Sequence, residues 1–274
     1  RRYWKDKIKE KPSKVLQGRK HGTDFNGKLS STYLYEVSSS QREQLEKLQT
    51  TTQTGLTPIT LAALLVYFGQ TTNFQDFVFG VPVHKRVSRR LRNIVGMFSG
   101  ILPFKGRYEP GTKVSELINE VNAAQKRDYR HQQFPIGDMN RELKINPLDG
   151  YLHEISVNYE PLNFELDFGS EISASITRLA NEFDRNPLQI CWRDYGNSQP
   201  LEMQIHFMYA YFDHLEIELL SKRIFYILEQ FLNQPNASVE SIKIIPPAEL
   251  QQLSGFNPES KIYPENQTVV SQIE

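Results

Sequence analysis

The chain has almost no cysteine: Cys191 is the only one in 274 residues. That excludes an internal disulfide framework and a cluster of thiolate metal ligands, and it fits a reducing, cytoplasmic setting. Neither sign of charge is in excess, since 32 Lys and Arg balance 32 Asp and Glu. A balanced chain with an ordinary apolar fraction is neither a disordered tail nor a globally basic nucleic-acid binder. No apolar run approaches the ~20 residues needed to span a bilayer, so no membrane segment is expected. The charged start RRYWKDKIKEKPSK leads into no apolar core, so these residues are not expected to be a signal peptide.

Motifs of chemistry are scarce too. The six histidines are His21, His84, His131, His153, His206 and His214; no two of them flank a glutamate at i, i+4, and none is spaced with Cys191 as a metal pair. There is no G-x-S-x-G elbow, no phosphate-binding G-x-x-x-x-G-K-[ST] loop and no G-x-G-x-x-G. Cys191, between Ile190 and Trp192, reads as an inert buried thiol. His206 falls on the Glu202/Gln204 side of its strand and reads as solvated or hydrogen-bonded.

What is present is a well-punctuated alternation of strands and helices. TYLYEVS (32–38) reads as a strand, followed by a helix opened by Ser40 and Glu43 at capping-box spacing and closed near Gly55. Thr57-Pro58 starts a second helix, whose body ITLAALLVYF is apolar all round and therefore buried. FQDFVFGVPV reads as a strand covered on both faces. Thr112 opens a helix with Val114, Leu117, Ile118 and Val121 on one face, broken by Pro135. HEISVNYEP is a strand, and LQICWRDY, GNSQ and LEMQIHFMYAYF form a hairpin. Asp213 and Glu216 cap a last helix with the stripe Ile217, Leu220, Ile224, Ile227, Leu228 and Phe231. The class expected is α/β (α+β), a mixed sheet flanked by helices. The boundaries expected are a tether over 1–18, a folded unit over 19–233, a linker over 234–255, and the start of something further over 256–274. With Tyr3-Trp4 as an aromatic anchor, the opening reads as a chain entered partway through.

One stretch carries a concentration of charge. In GVPVHKRVSRRLRNIVGMFSGILPFKG (80–106), five basic residues, Lys85, Arg86, Arg89, Arg90 and Arg92, fall between two apolar runs. This stretch resembles the "G-x-P-x-x-x-R … IGMFVNTLPLR" segment of nonribosomal peptide synthetase condensation domains. YRHQQFPIGDM resembles that family's "HQDLPFE" segment, and NPLDGYLHEISVNYEP resembles "NPLFQVMFNYQN". The run from NEFDRNPLQICWRDYG to the last helix looks like the family's closing strands and helix. LSGFNPESKIYPENQTVVSQIE is similar to the linker and first residues of an adenylation domain.

The resemblance implies the C-terminal subdomain of a chloramphenicol-acetyltransferase-like fold, whose active-site tunnel lies against a missing N-terminal subdomain. It implies amide formation between acyl or peptidyl and aminoacyl thioesters on phosphopantetheine arms. The partners would be upstream and downstream peptidyl carrier proteins and an adjacent adenylation domain, with no cofactor bound directly. The family's catalytic signature HHxxxDG is absent from this chain, so none of its residues is assigned as catalytic and the chain alone is expected to be inactive. Tunnel-side candidates are His84, Arg86, Ser99, Gly100, His131 and Gln132; carrier-docking candidates are Lys85, Arg89, Arg90 and Arg92. Arg86 matches the family's arginine and has a second reading, as the residue that holds the turn's carbonyls or an internal carboxylate. The arginines likewise read as a solvated helix face. Where the family has Asn-Thr, this chain has Ser99-Gly100, which removes an amide. Two alternatives to condensation stay open: a condensation-like module that only docks carrier or tailoring proteins, and a heterocyclisation domain.

Overall fold

A computed structural model describes residues 2–19, 27–145, 152–162, 182–184, 186–196, 200–256, 270 and 273. Contacts divide the chain into two units, 1–244 and 245–274. The first is built on a six-stranded sheet in the order β1-β6-β5-β4-β2-β3. Its strands are β1 Ser30–Glu36, β2 Asp76–Val83, β3 Gly100–Arg107, β4 Ile155–Pro161, β5 Leu188–Asp194 and β6 Glu202–Met208. β4 runs parallel to both β2 and β5, and the other pairings are antiparallel.

Helices α2 (Ser39–Thr52), α3 (Leu56–Thr71), α5 (Val114–Arg130) and α7 (His214–Asn233) build the main core with alternate strand residues. On β6 these are Met203, Ile205 and Phe207; on β5 they are Leu188, Ile190 and Trp192. α3 lies in the middle and packs against both α5 and α7, which is why it is apolar on every side. Its one buried hydroxyl is used, because Thr60 Oγ1 accepts from Trp192 Nε1 at 2.8 Å. The other face of the same strands is buried but polar. Cys191 and His206 lie there, the first an enclosed thiol, the second hydrogen-bonded to Thr32 Oγ1 at 2.8 Å through Nδ1.

Several boundaries move from the sequence-based expectation, each for a tertiary or backbone reason. Ser38 and Gln41, not Ser40 and Glu43, form the reciprocal cap of α2. That helix stops at Thr52 because Gln53 turns left-handed at φ 50°, and Gly55 then caps α3 with Thr57 already inside it. α5 begins at Val114 because the preceding strand-like residues pair with the chain after α7: Val114 N–H donates to Ala237 O at 3.0 Å.

The same contact extends the first unit past 233. Val239 and Ile242 are buried in the main core, and Gln70 Nε2 donates to both their carbonyls at 2.9 Å. Gln230 and Lys243 exchange two further hydrogen bonds, so the segment after α7 is strapped down rather than a free linker. The opening is not a loose tether either. Arg2–Lys7 forms α1, Trp4 and Ile8 are buried in a second cluster with Val83, Leu102 and Met139, and Glu154 Oε2 accepts from the Val15 and Leu16 N–H groups at 2.7 and 3.1 Å. Met139 belongs to α6, Ile136–Glu142, which Pro135 starts. The second unit carries α8, Pro247–Gly255, whose side chains are exposed or half-buried. The adenylation start expected over 256–274, like the GNSQ turn, falls almost wholly outside the described residues.

Candidate functional site

The basic stretch becomes a loop between β2 and β3, two strands that pair from Asp76↔Arg107 to Val83↔Gly100. Arg86 organises it. Its guanidinium donates to the carbonyls of Leu91, of Ile94 at 2.7 Å and of Gly96 at 2.8 Å, and lies 4.4 Å over the Phe98 ring. A planar fork with five donors can serve three carbonyls at once, which a lysine cannot. Between those carbonyls lies the short helix α4, Arg89–Arg92, with the Ser88 hydroxyl accepting from the Leu91 N–H at 3.3 Å. Arg89, Arg90 and Arg92 are exposed. Val95 and Met97 beyond them are 100% and 91% exposed.

Where β2 ends, the backbone of Lys85 enters the left-handed region at φ 51°, a conformation costing a non-glycine residue about 1 kcal/mol or more. Gln133 Nε2 holds it there by donating to the Lys85 carbonyl at 3.2 Å. An open cleft of about 670 Å³ lies at this corner. The ends of β2 and β4, the start of β3 and the turn after α5 wall it. His84, Lys85, Arg86, Ser99 and Gln132 line it, together with Tyr129, Asn158, Tyr159 and Glu160.

Five of the sequence candidates thus meet in one place. His131 does not line the cleft: its ring stacks on Tyr3 with centroids 4.0 Å apart, and its carbonyl accepts from Trp4 Nε1 at 3.0 Å. Gly100 lies beneath the Lys85 side chain. Lys85 itself, grouped in the sequence with the docking arginines, faces the cleft while they face solvent.

The β4 residues were not singled out in the sequence, although they belong to the NYEP segment; only the parallel β2–β4 pairing brings them beside His84. They form a bonded set. Asn158 Nδ2 donates to Glu160 Oε1 at 2.9 Å, and Glu160 pairs with Arg193 at 3.4 Å. Tyr159 OH donates to Asp194 Oδ2 at 2.9 Å, and burial, with that acceptor's charge, pushes the phenol up to about 12. Tyr159 is therefore a neutral donor at physiological pH.

The described residues of the cleft place the neutral donors Gln132 and Tyr159 in one wall with the cation Lys85. Among the described residues, no group of three or more His, Cys, Asp or Glu could hold a metal ion, and no helix is long and apolar enough to cross a membrane.

Among known families, the model described as "Condensation domain" matches residues 1–254. The chain is 24% identical over 229 residues to tyrocidine synthase 3 of Brevibacillus parabrevis, covering 80% of the chain and 3% of the synthase. It is 22% identical over 232 residues to gramicidin S synthase 2 of Brevibacillus brevis, covering 82% and 5%. In fold it resembles the first condensation domain of the calcium-dependent antibiotic synthetase, solved with a substrate analogue, at a TM-score of 0.71 and 19% identity. That match covers 88% of this chain and 52% of the solved one, so the chain spans about half of it. The X-domain from teicoplanin biosynthesis matches at 0.74 and 14% identity, over 89% and 56%.

Proposed function

The chain belongs to the condensation-domain family, and on that premise we propose that it is the C-terminal half of a nonribosomal peptide synthetase condensation domain. Joined to the half that carries HHxxxDG, it forms an amide between two carrier-bound thioesters. The amine of the aminoacyl thioester attacks the acyl or peptidyl carbonyl, a C–N bond forms, the C–S bond breaks, and the amine's proton leaves as the thiol is released. An imidazole with its pKa near neutrality suits that proton, and the proposal assigns it to the other half.

The observation that carries this reading is the convergence of three separated sequence segments on one cleft. His84, Arg86 and Ser99 come from the first, Gln132 from the second, and Asn158 to Glu160 from the third. In this reading the cleft is one wall of the tunnel. Arg86 shapes the loop, Ser99 and Gln132 offer hydrogen bonds to the arm or its acyl group, and Arg89, Arg90 and Arg92 attract an acidic carrier protein. No cofactor is held directly; the phosphopantetheine arms arrive on carriers in the cytoplasm, and an adenylation domain follows.

The test is condensation by the full-length protein with both carriers loaded, read as amide product by mass spectrometry. Gln132→Ala is expected to lower kcat/KM roughly fivefold to tenfold, the size of one hydrogen bond. A second reading has support in the X-domain match: one such domain is solved in complex with OxyB, from the same teicoplanin biosynthesis. A chain that binds a partner but yields no amide from loaded carriers, with wild-type sequence throughout, would be a docking module instead.

A further inference from the structure

The side chain of Lys85 follows an unusual course. Its backbone is left-handed at φ 51°, and its stem folds back across β3 instead of reaching into water. That course exists because residue 100 is glycine. A β-carbon there would lie 2.4 Å from Lys85 Cε and 2.8 Å from Nζ. The ammonium ends in the wall of the cleft that Ser99 and Gln132 also line.

Among the described residues, nothing answers its charge. Among the described residues no carboxylate pairs with Lys85. The carboxylate among the residues that line the cleft, Glu160, is engaged by Arg193 at 3.4 Å and Asn158 at 2.9 Å. The neighbouring cation is spent, since Arg86 faces three carbonyls of its own loop. The Lys85 backbone is strained, and the residue is half-buried with no counter-charge among the described residues, which an incoming anion would supply.

We propose that Lys85 is an anion-binding, specificity-determining residue of the cleft, which receives a phosphate or carboxylate carried by the incoming thioester. This rests on the cleft being the place where thioesters bind. The shared chemistry is a compact anion beside neutral donors; its two sources are the phosphate of the pantetheine arm and an acidic side chain on the substrate.

Two ligand pairs separate them, titrated against the full-length protein by calorimetry. One is 4′-phosphopantetheine against pantetheine; the other is the N-acetylcysteamine thioester of glutamate against that of glutamine. The anionic member of at least one pair is expected to bind about tenfold more tightly than its neutral partner, and the pair that shows it identifies the source. Lys85→Met, which keeps the stem and removes the charge, should abolish that preference, and Lys85→Arg should keep part of it. Gly100→Ala leaves the charge but displaces the stem. It should weaken the preference, and combined with Lys85→Met it should add nothing further. Equal binding within both pairs by the wild type, or a preference that survives in Lys85→Met, overturns the proposal. Amide formation is measured alongside. Lost product with a retained anion preference counts against the condensation reading and leaves this site standing; normal product without the preference does the reverse.

Discussion

The main core and the β2–β3 loop are held together in different ways. Around α3, order comes from many equivalent contacts: Leu61, Leu64, Leu65, Ile205 and Phe207 are all fully buried, and no single one decides the shape. In residues 84–99 no side chain other than the cleft's edge is well covered, and Val95 and Met97 stand in solvent. There one guanidinium closes the loop by reaching three carbonyls. The first region spreads its stability over area. The second concentrates its shape in a few polar bonds, which leaves most of residues 87–97 in solvent.

That contrast makes graded predictions. The largest effect is expected in the core, where Phe207→Ala should cost roughly 3–5 kcal/mol through lost burial and a residual cavity, read from the urea midpoint. A loss under 1 kcal/mol would mean the core is not the distributed structure described. Next comes acid. His153 is buried against Gly80 of β2, and burial lowers its imidazole from 6.5 to about 4. The folded state therefore resists protonation that the unfolded state accepts. Its contribution is complete above pH 6.5 and is lost as pH falls through about 4, roughly 3 kcal/mol in all. Stability measured between pH 7 and 4 should fall along that window, and an NMR titration should show the ring neutral at pH 5.

The buried pair on the α1 side tests a third mode. Lys7 Nζ lies 2.6 Å from both Asp128 carboxylate oxygens, and Tyr3 OH donates to Asp128 at 2.5 Å. Burial holds the Asp128 carboxyl above its usual range and the Lys7 amine below its own. The carboxyl's contribution is therefore fullest below its unfolded pKa and lost as pH rises through the raised folded one. The amine's is present above its unfolded pKa and lost as pH falls through the lowered folded one. Both charged forms carry a desolvation cost at neutral pH, so the pair orients α1 more than it stabilises the fold. Asp128→Ala should cost about 2 kcal/mol by stranding Lys7, less than for a fully buried ion because Lys7 keeps some water. Lys7→Met with Asp128→Leu should recover to within about 1 kcal/mol of wild type.

Arg86→Ala should cost about 1 kcal/mol globally, since the freed carbonyls reach water, yet greatly speed proteolysis within residues 87–97. Arg86→Lys should not restore protection. The smallest effect belongs to Arg89, Arg90 and Arg92 changed together to glutamate. The melting temperature should move by about 2 °C or less, while association with a carrier protein slows and loses its salt dependence. A larger thermal loss would place these arginines in the structure rather than on a solvated surface.

Much of the fold was legible because its elements state their own ends. The α7 stripe is buried as its spacing requires, and Asp213 with Glu216 caps it. The alternation Leu201 to Phe207 places one face of β6 in the core. Legibility failed where a remote partner decides. Nothing local in Gln230 or Gln70 shows that they hold the backbone of residues 239–243, and nothing in Trp4 alone shows that it is buried beside Met139. In the cleft, the motif segments pointed to His84, Arg86, Ser99 and Gln132, but Asn158, Tyr159 and Glu160 join them only through strand order.

The sequence by itself determined which segments are helix or strand, which faces are apolar, the family to which the chain belongs, and the absence of the HHxxxDG signature. Those depend on periodicity, capping and motif order, all written along the chain. Only the tertiary structure decided what the charges do. Of five basic residues within eight positions, it turned Arg86 inward to its own carbonyls, sent Lys85 over Gly100 into the cleft, and left Arg89, Arg90 and Arg92 in water. The physical reason is that a cation's role is set by the acceptors within a few ångströms of it, and those come from residues brought close only by the pairing of strands.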